Sequence, residues 1–145
     1  MTLSELVERT QLGPSLVDAS RLSGVVRFGG PVSQEQVWLL YPSGALPVEL
    51  EGQLQVAEGI TASASRKVLE LIASGQVPPD LITLMGYAGW GPWQLEDEIK
   101  QGAWLPTDVT AEVVFSTPRA ELWARAYQRV GASPMSFTSR TVGSA

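Results

Sequence analysis

Between Met85 and Glu98 the chain reads MGYAGWGPWQLEDE, and no other stretch limits its fold so tightly. The apolar run Leu81–Tyr87 that leads into it has the length and composition of a core strand. Gly86, Gly89 and Gly91 then break the strand, because glycine reaches backbone conformations that other residues avoid. Pro92 follows where a helix would make its first turn, a position at which the missing N–H costs nothing. Glu96, Asp97 and Glu98 fall in the opening turns, where the positive end of the helix dipole favours carboxylates. Gly102 closes the helix. A strand that turns through glycines into a helix belongs to a layered fold of sheet and helices.

The rest of the chain extends this pattern. Thr2 and Glu5 have capping-box spacing, and Leu3, Leu6 and Val7 form the apolar stripe of a first helix that Gly13-Pro14 ends. Residues 14–23 read as loop. Val25–Phe28 is β-prone, and Val37–Tyr41 (VWLLY) is a continuous apolar run, expected to be a strand buried on both faces. Pro42–Gly52 is turn-rich and expected to be exposed, and Leu54–Ala57 is a short strand. Ser63 or Ser65 caps a helix buried through Val68, Leu69, Leu71 and Ile72, with Gly75 and Pro78-Pro79 stopping it. Glu112–Phe115 reads as another short strand. Thr117-Pro118 looks like a cap and first-turn proline for a last helix, whose Leu122, Trp123, Ala126, Tyr127 and Val130 share one face up to Gly131. Residues 132–145, rich in Ser, Thr and Gly, read as a flexible tail. The front of the chain has few strands to complete a sheet, so an open edge there favours pairing with another chain.

Composition narrows the chemistry. With 145 residues and 44% apolar content, the chain suits one domain, residues 1–131, with its own core. Fifteen acidic against ten basic residues give a net charge of −5, which disfavours nucleic acid as a partner, because phosphate backbones are bound through Lys and Arg. Arg66–Lys67 and the pair Arg125/Arg129 are the candidate basic patches, and both also read as solvated helix faces. The sequence contains no Cys and no His. That excludes disulfides, thiolate nucleophiles, Cys/His zinc sites and Ser–His–Asp triads. No stretch has the form of a signal peptide or the roughly 20 apolar residues of a membrane span, so a cytoplasmic location without membrane attachment is expected.

Three constellations are candidates for function. The glycines of G-x-x-G-x-G (Gly86, Gly89, Gly91) offer amides at a helix start, a place that attracts anions. The order is not the dinucleotide fingerprint, no Lys-Ser/Thr follows as in a P-loop, and Glu96, Asp97 and Glu98 compete for the same dipole end. The plainer reading is a tight turn with close packing. Gln94 and Glu98 share a helix face at i,i+4, while Glu96 and Asp97 point elsewhere, so an exposed face outweighs an acid/base pair. Tyr87, Trp90, Trp93 and Trp104 gather around the turn: Trp90 and Trp104 are expected in the core, and Trp93 at a surface contact. Phe28-Gly29-Gly30-Pro31-Val32 ends a strand in a second glycine turn.

Arg27–Val32 (RFGGPV), Gly86–Ile99 (GYAGWGPWQLEDEI), Gly102–Leu105 (GAWL) and Val114–Gly131 (VFSTPRAELWARAYQRVG) together resemble the AlgH/YqgE family of bacterial proteins, over about residues 3–131. The resemblance implies a mostly antiparallel sheet flanked by helices, about four of them here, so the fold class is α/β in the α+β sense. It brings no established enzymatic activity and no cofactor. The family name comes from a proposed regulatory role in alginate production, and some members are labelled transcriptional regulators, although no helix-turn-helix signature is present here. Trp93 stands where the family pattern has Gly, and Tyr41 where many members carry His. Members usually have about two more strands and an Asn-Arg-Pro ahead of the position of Leu3. The hairpin is either lost or cut from the start of the chain, and its absence leaves a sheet edge to be covered.

The expectation is therefore a non-catalytic cytoplasmic protein that acts through protein–protein contact, in a regulatory role, and self-associates. Its partner would be a second copy or another protein covering an open sheet edge, with Trp93, Arg125 and Arg129 as interaction residues. No catalytic residue, metal or cofactor is assigned. One alternative is a small-anion or nucleotide-binding protein, or an enzyme, with a pocket at Gly29, Gly30, Gly86, Gly89, Trp90 and Gly91. Another is a transcriptional regulator, which the charge disfavours.

Overall fold

The computed structural model describes residues 1–9, 24–46 and 50–131. The expected helix stop at Gly13-Pro14, the loop 14–23 and the tail 132–145 lie outside the described residues, as does the Val7 side chain. The chain divides into two compact units, Met1–Ala88 and Gly89–Ala145.

The first unit begins with helix α1 (Leu3–Arg9). Its capping box is closed in both directions: the Thr2 amide donates to Glu5 Oε2 at 2.7 Å, and the Glu5 amide donates to Thr2 Oγ1 at 3.2 Å. These bonds, the Thr2 amide first, hold the Glu5 carboxyl below its ordinary pKa. Five strands follow: β1 (Arg27–Phe28), β2 (Val32–Pro42), β3 (Gln53–Ala57), β4 (Ile60–Ser63) and β5 (Ile82–Tyr87), with α2 (Arg66–Ala73) between β4 and β5. They form one sheet in the order β1-β5-β2-β4-β3. The β1–β5 pair is parallel and every other pair antiparallel. The sheet is thus mixed and mostly antiparallel, as expected of an α+β chain.

The core lies on one face of β2. Val37, Leu39 and Tyr41 pack with Leu3 and Leu6 of α1 and with Val68, Leu69, Ile72 and Ala73 of α2. The apolar run VWLLY suggested burial on both faces. Instead burial alternates, with Trp38 and Leu40 only partly covered, because successive side chains of a strand point to opposite faces. Leu46, in the segment expected to be exposed, joins the core at 6% exposure. Strand β4 is an element that sequence reasoning missed. The signal for it is Glu58-Gly59, a two-residue turn between apolar runs, with Gly59 at φ 74°.

Of the two candidate caps for α2, Ser65 is the one used: its Oγ accepts from the Lys67 amide at 3.3 Å. Ser63 supports it by accepting from the Ser65 amide at 3.1 Å. Leu71 is only partly buried, and Ala73 takes its place on the buried face. Gly75, at φ 87°, and Gln76 return their amides to Ile72 and Leu71, the expected helix stop.

The second unit holds α3 (Gln94–Lys100), α4 (Ala111–Ser116) and α5 (Arg119–Arg129). The strand expected at Glu112–Phe115 is helix α4. Thr110 caps it by accepting from the Val113 amide at 3.3 Å, and this local bond outweighs the β-preference of the two valines. Thr117 ends α4 rather than capping α5, whose N-cap is Pro118, with no side-chain bond. Pro92 likewise sits in the turn before α3, and Trp93 is the N-cap. No described helix is long and apolar enough to cross a membrane.

Candidate functional site

The glycine turns of the first unit are brought together by the sheet. Because β1 runs parallel to β5, Arg27 pairs with Leu84 and Phe28 with Met85, and the Gly29 amide donates to the Met85 carbonyl at 2.8 Å. The chain then crosses Gly86–Ala88 backbone on backbone. A Cβ on Gly29 would strike the Gly86 carbonyl oxygen, one on Gly30 the Tyr87 carbonyl, and one on Gly86 the Gly30 carbonyl oxygen. The space that these three glycines leave is filled by chain, which accounts for all three by close packing.

Gly89, Trp90 and Gly91 open the second unit, where the organising group is Glu98. Its Oε1 accepts from Gln94 Nε2 at 2.9 Å, and its Oε2 from Trp90 Nε1 at 3.1 Å and Trp104 Nε1 at 2.7 Å. The two indoles meet edge to face, with centroids 5.3 Å apart. The expected sharing of a face by Gln94 and Glu98 is therefore realised as a hydrogen bond. Bonds from Gln94, Trp104 and Trp90, in that order, hold the Glu98 carboxyl below its ordinary pKa. Gln94 also reaches back: its Oε1 accepts from the Gly91 amide at 3.0 Å, so the start of α3 supplies its own acceptor. Trp90 and Trp104, expected in the core, are 37% and 45% exposed. Their N–H groups need an acceptor, and Glu98 provides it at the surface.

Trp93 is 76% exposed, in keeping with its expected surface position. It holds φ 65°, ψ −5°, the left-handed conformation that glycine adopts freely and other residues pay to reach. Arg125 and Arg129 line one open cleft with Thr110, Glu112 and Gln128, and Arg129 Nε donates to the Asp108 carbonyl at 2.8 Å. Beside it, Trp104, Leu105, Trp123, Ala126, Tyr127 and Val130 line a shallow groove of about 240 Å³. The apolar face expected on α5 therefore forms but stays open, with Trp123 at 65% exposure. Among the described residues, no cluster of three or more acidic, His or Cys side chains is arranged to hold a metal ion.

A surface that sequence reasoning passed over lies at the sheet's far edge. Strand β3 pairs with β4 on one side and has no described strand on the other. Its Leu54 and Val56 are 60% and 50% exposed. The alternation Gln-Leu-Gln-Val was the available signal, since it places both apolar residues on one face. The opposite edge, β1, has two residues and an exposed Phe28.

These features belong to a known class of chain. The profile of the AlgH-like family matches residues 1–135, and the chain belongs to that family. A UPF0301 protein of Anaeromyxobacter sp. strain K is 36% identical over 119 residues, which are 82% of this chain and 60% of that one. The UPF0301 protein YqgE of Salmonella agona is 30% identical over 132 residues, 90% of this chain and 69% of that one. The solution structure of the AlgH protein from Pseudomonas aeruginosa superposes with a TM-score of 0.72 at 29% identity, covering all of this chain and 72% of that one. A crystal structure of a Corynebacterium diphtheriae protein, at 18% identity and a TM-score of 0.57, shares the fold. The chain spans about 60% of the length of the Anaeromyxobacter relatives it matches.

Proposed function

We propose that this protein is a non-catalytic, cytoplasmic protein-binding domain that acts in regulation through contacts with other chains, a second copy of itself included. One observation carries the reading: strand β3 has no described strand on its outer side, and its Leu54 and Val56 are exposed. Natural sheets usually blunt such an edge with Lys, Pro or a covering segment, and QLQVA contains neither Lys nor Pro. An edge of this kind recruits a strand through main-chain bonds and selects it through alternate side chains. The sequence, which lacks His and Cys, adds support against thiolate, His-dependent triad or Cys/His zinc chemistry. A Cβ on Gly29, Gly30 or Gly86 would meet neighbouring backbone, which supports a packing role for these three over a ligand turn.

Light scattering of the purified chain over a wide concentration range tests the reading. The expected result is a mass that rises above the monomer, and that falls back to it in Val56→Lys with the fold unchanged by circular dichroism. A wild type that stays strictly monomeric overturns self-association.

A further inference from the structure

We propose that the cleft between α4 and α5 binds the phosphate group of a small organic phosphate, through the guanidinium groups of Arg125 and Arg129. The site belongs to the second unit alone, so it stands or falls independently of the strand edge in the first.

The chain builds the cleft from a short link. Pro118 disfavours helical backbone at the residue before it, and Thr117 (ψ 128°) and Pro118 (ψ 139°) are both extended. The two helices therefore separate at this link and leave about 540 Å³ open between them. Small-molecule sites commonly span about 300–1,000 Å³. Arg125 and Arg129 lie one turn apart on α5, a spacing that puts both on one helix face, and both line the cleft. Ser116, Thr117 and Gln128 add neutral donors to the lining, as does Thr110. Thr110 Oγ1 accepts from the Val113 amide at 3.3 Å, which leaves the hydroxyl proton to donate.

The charge on both guanidiniums is uncompensated. Arg129 Nε donates to the Asp108 carbonyl at 2.8 Å, a neutral partner that steadies the side chain and leaves its terminal nitrogens to a ligand. Neither arginine forms an ion pair with a described residue. Like charges at this spacing oppose each other, and an anion that bridges them removes the repulsion. Phosphate suits the pair better than a carboxylate does. It spreads its charge over three terminal oxygens, so two planar forks and a hydroxyl can meet it at once. Glu112 is the acidic residue of the lining. It leaves the cleft with one positive charge in excess and opposes the bound anion. The net charge of −5 on the whole chain acts from further away, where physiological salt screens it beyond about 8 Å.

An NMR titration of the full chain with glycerol phosphate, at fixed pH and ionic strength, tests the site. Saturable shifts are expected at amides of α4 and α5, with none from glycerol and far weaker binding of acetate. Arg125 is exposed, so Arg125→Gln is expected to keep the melting temperature while weakening binding about tenfold or more, the share of a bond to a charged group. Glu112→Gln removes the opposing carboxylate and is expected to tighten binding several-fold. Shifts that never saturate, that fall outside α4 and α5, or that persist unchanged in Arg125→Gln overturn the site. Acetate that binds as tightly as glycerol phosphate overturns the phosphate assignment, and no tightening in Glu112→Gln overturns the placement of the anion beside that residue.

Discussion

In the unit Met1–Ala88, Val68 and Ile72 are 0% exposed and Leu39 1%, and two helices close over one face of a sheet. Among the described residues of the unit Gly89–Ala145, none of the three helices contains a buried residue, and one carboxylate, Glu98, takes hydrogen bonds from three side chains. The first is held by apolar surface removed from water, an effect spread over many contacts. The second leans on a few directional bonds at the surface, which concentrate the effect in single residues. The lesson is about how each half responds to change. A core tolerates loss of a polar group, whereas a hydrogen-bonded hub fails locally when its acceptor is altered.

The largest effect expected from this contrast is in the first unit. Ile72→Ala removes a fully buried side chain between α2 and the sheet and is expected to cost about 2–5 kcal/mol in denaturant unfolding. A cost near zero would break the claim that this core carries the unit.

A smaller and more local effect is expected at Glu98. Glu98→Gln keeps the shape but weakens the bonds from both indoles, and should change tryptophan emission and speed hydrogen exchange in α3, with α2 unaffected. The pH dependence follows from the depressed pKa. The carboxylate's contribution is fully present above its ordinary unfolded value, and is lost as pH falls through the lower folded value. An acid limb in the tryptophan signal below the usual carboxylate range, absent in Glu98→Gln, is the expected observation. The same limb in both proteins would assign it elsewhere.

The smallest effect is expected at Trp93. Trp93→Gly relieves a left-handed conformation that costs a non-glycine residue roughly 1–2 kcal/mol, offset by glycine's own entropy loss of roughly 0.5–1 kcal/mol. A net gain of up to about 1.5 kcal/mol in thermal or denaturant unfolding is expected, and a loss would show that the exposed ring contributes contacts of its own.

Legibility in the sequence followed the range of the interactions. The capping box at Thr2 and Glu5, the stop at Gly75 and the i,i+4 bond from Gln94 to Glu98 depend on residues a few positions apart, and each was readable. The short strand read at Leu54–Ala57 lies within β3, which begins one residue earlier at Gln53, and the α+β class was readable too. Where two local signals competed, the reading failed. The valines of α4 suggested a strand, and Thr110 decided for a helix. Ser63 looked like a helix start and proved to be the end of β4.

By itself the sequence determined which elements most segments form, the mixed sheet with helices, and the chemistry that a chain without His or Cys gives up. Only the tertiary structure decided which strands are edges, and therefore that Leu54 and Val56 are left open. It also decided that Gly29 and Gly30 pack on Gly86–Ala88, and that Trp90 and Trp104 share one acceptor instead of filling a core. The physical reason is common to these cases. Strand neighbours and the burial of a large ring depend on which distant segments meet, and periodicity along the chain describes only a residue's own face.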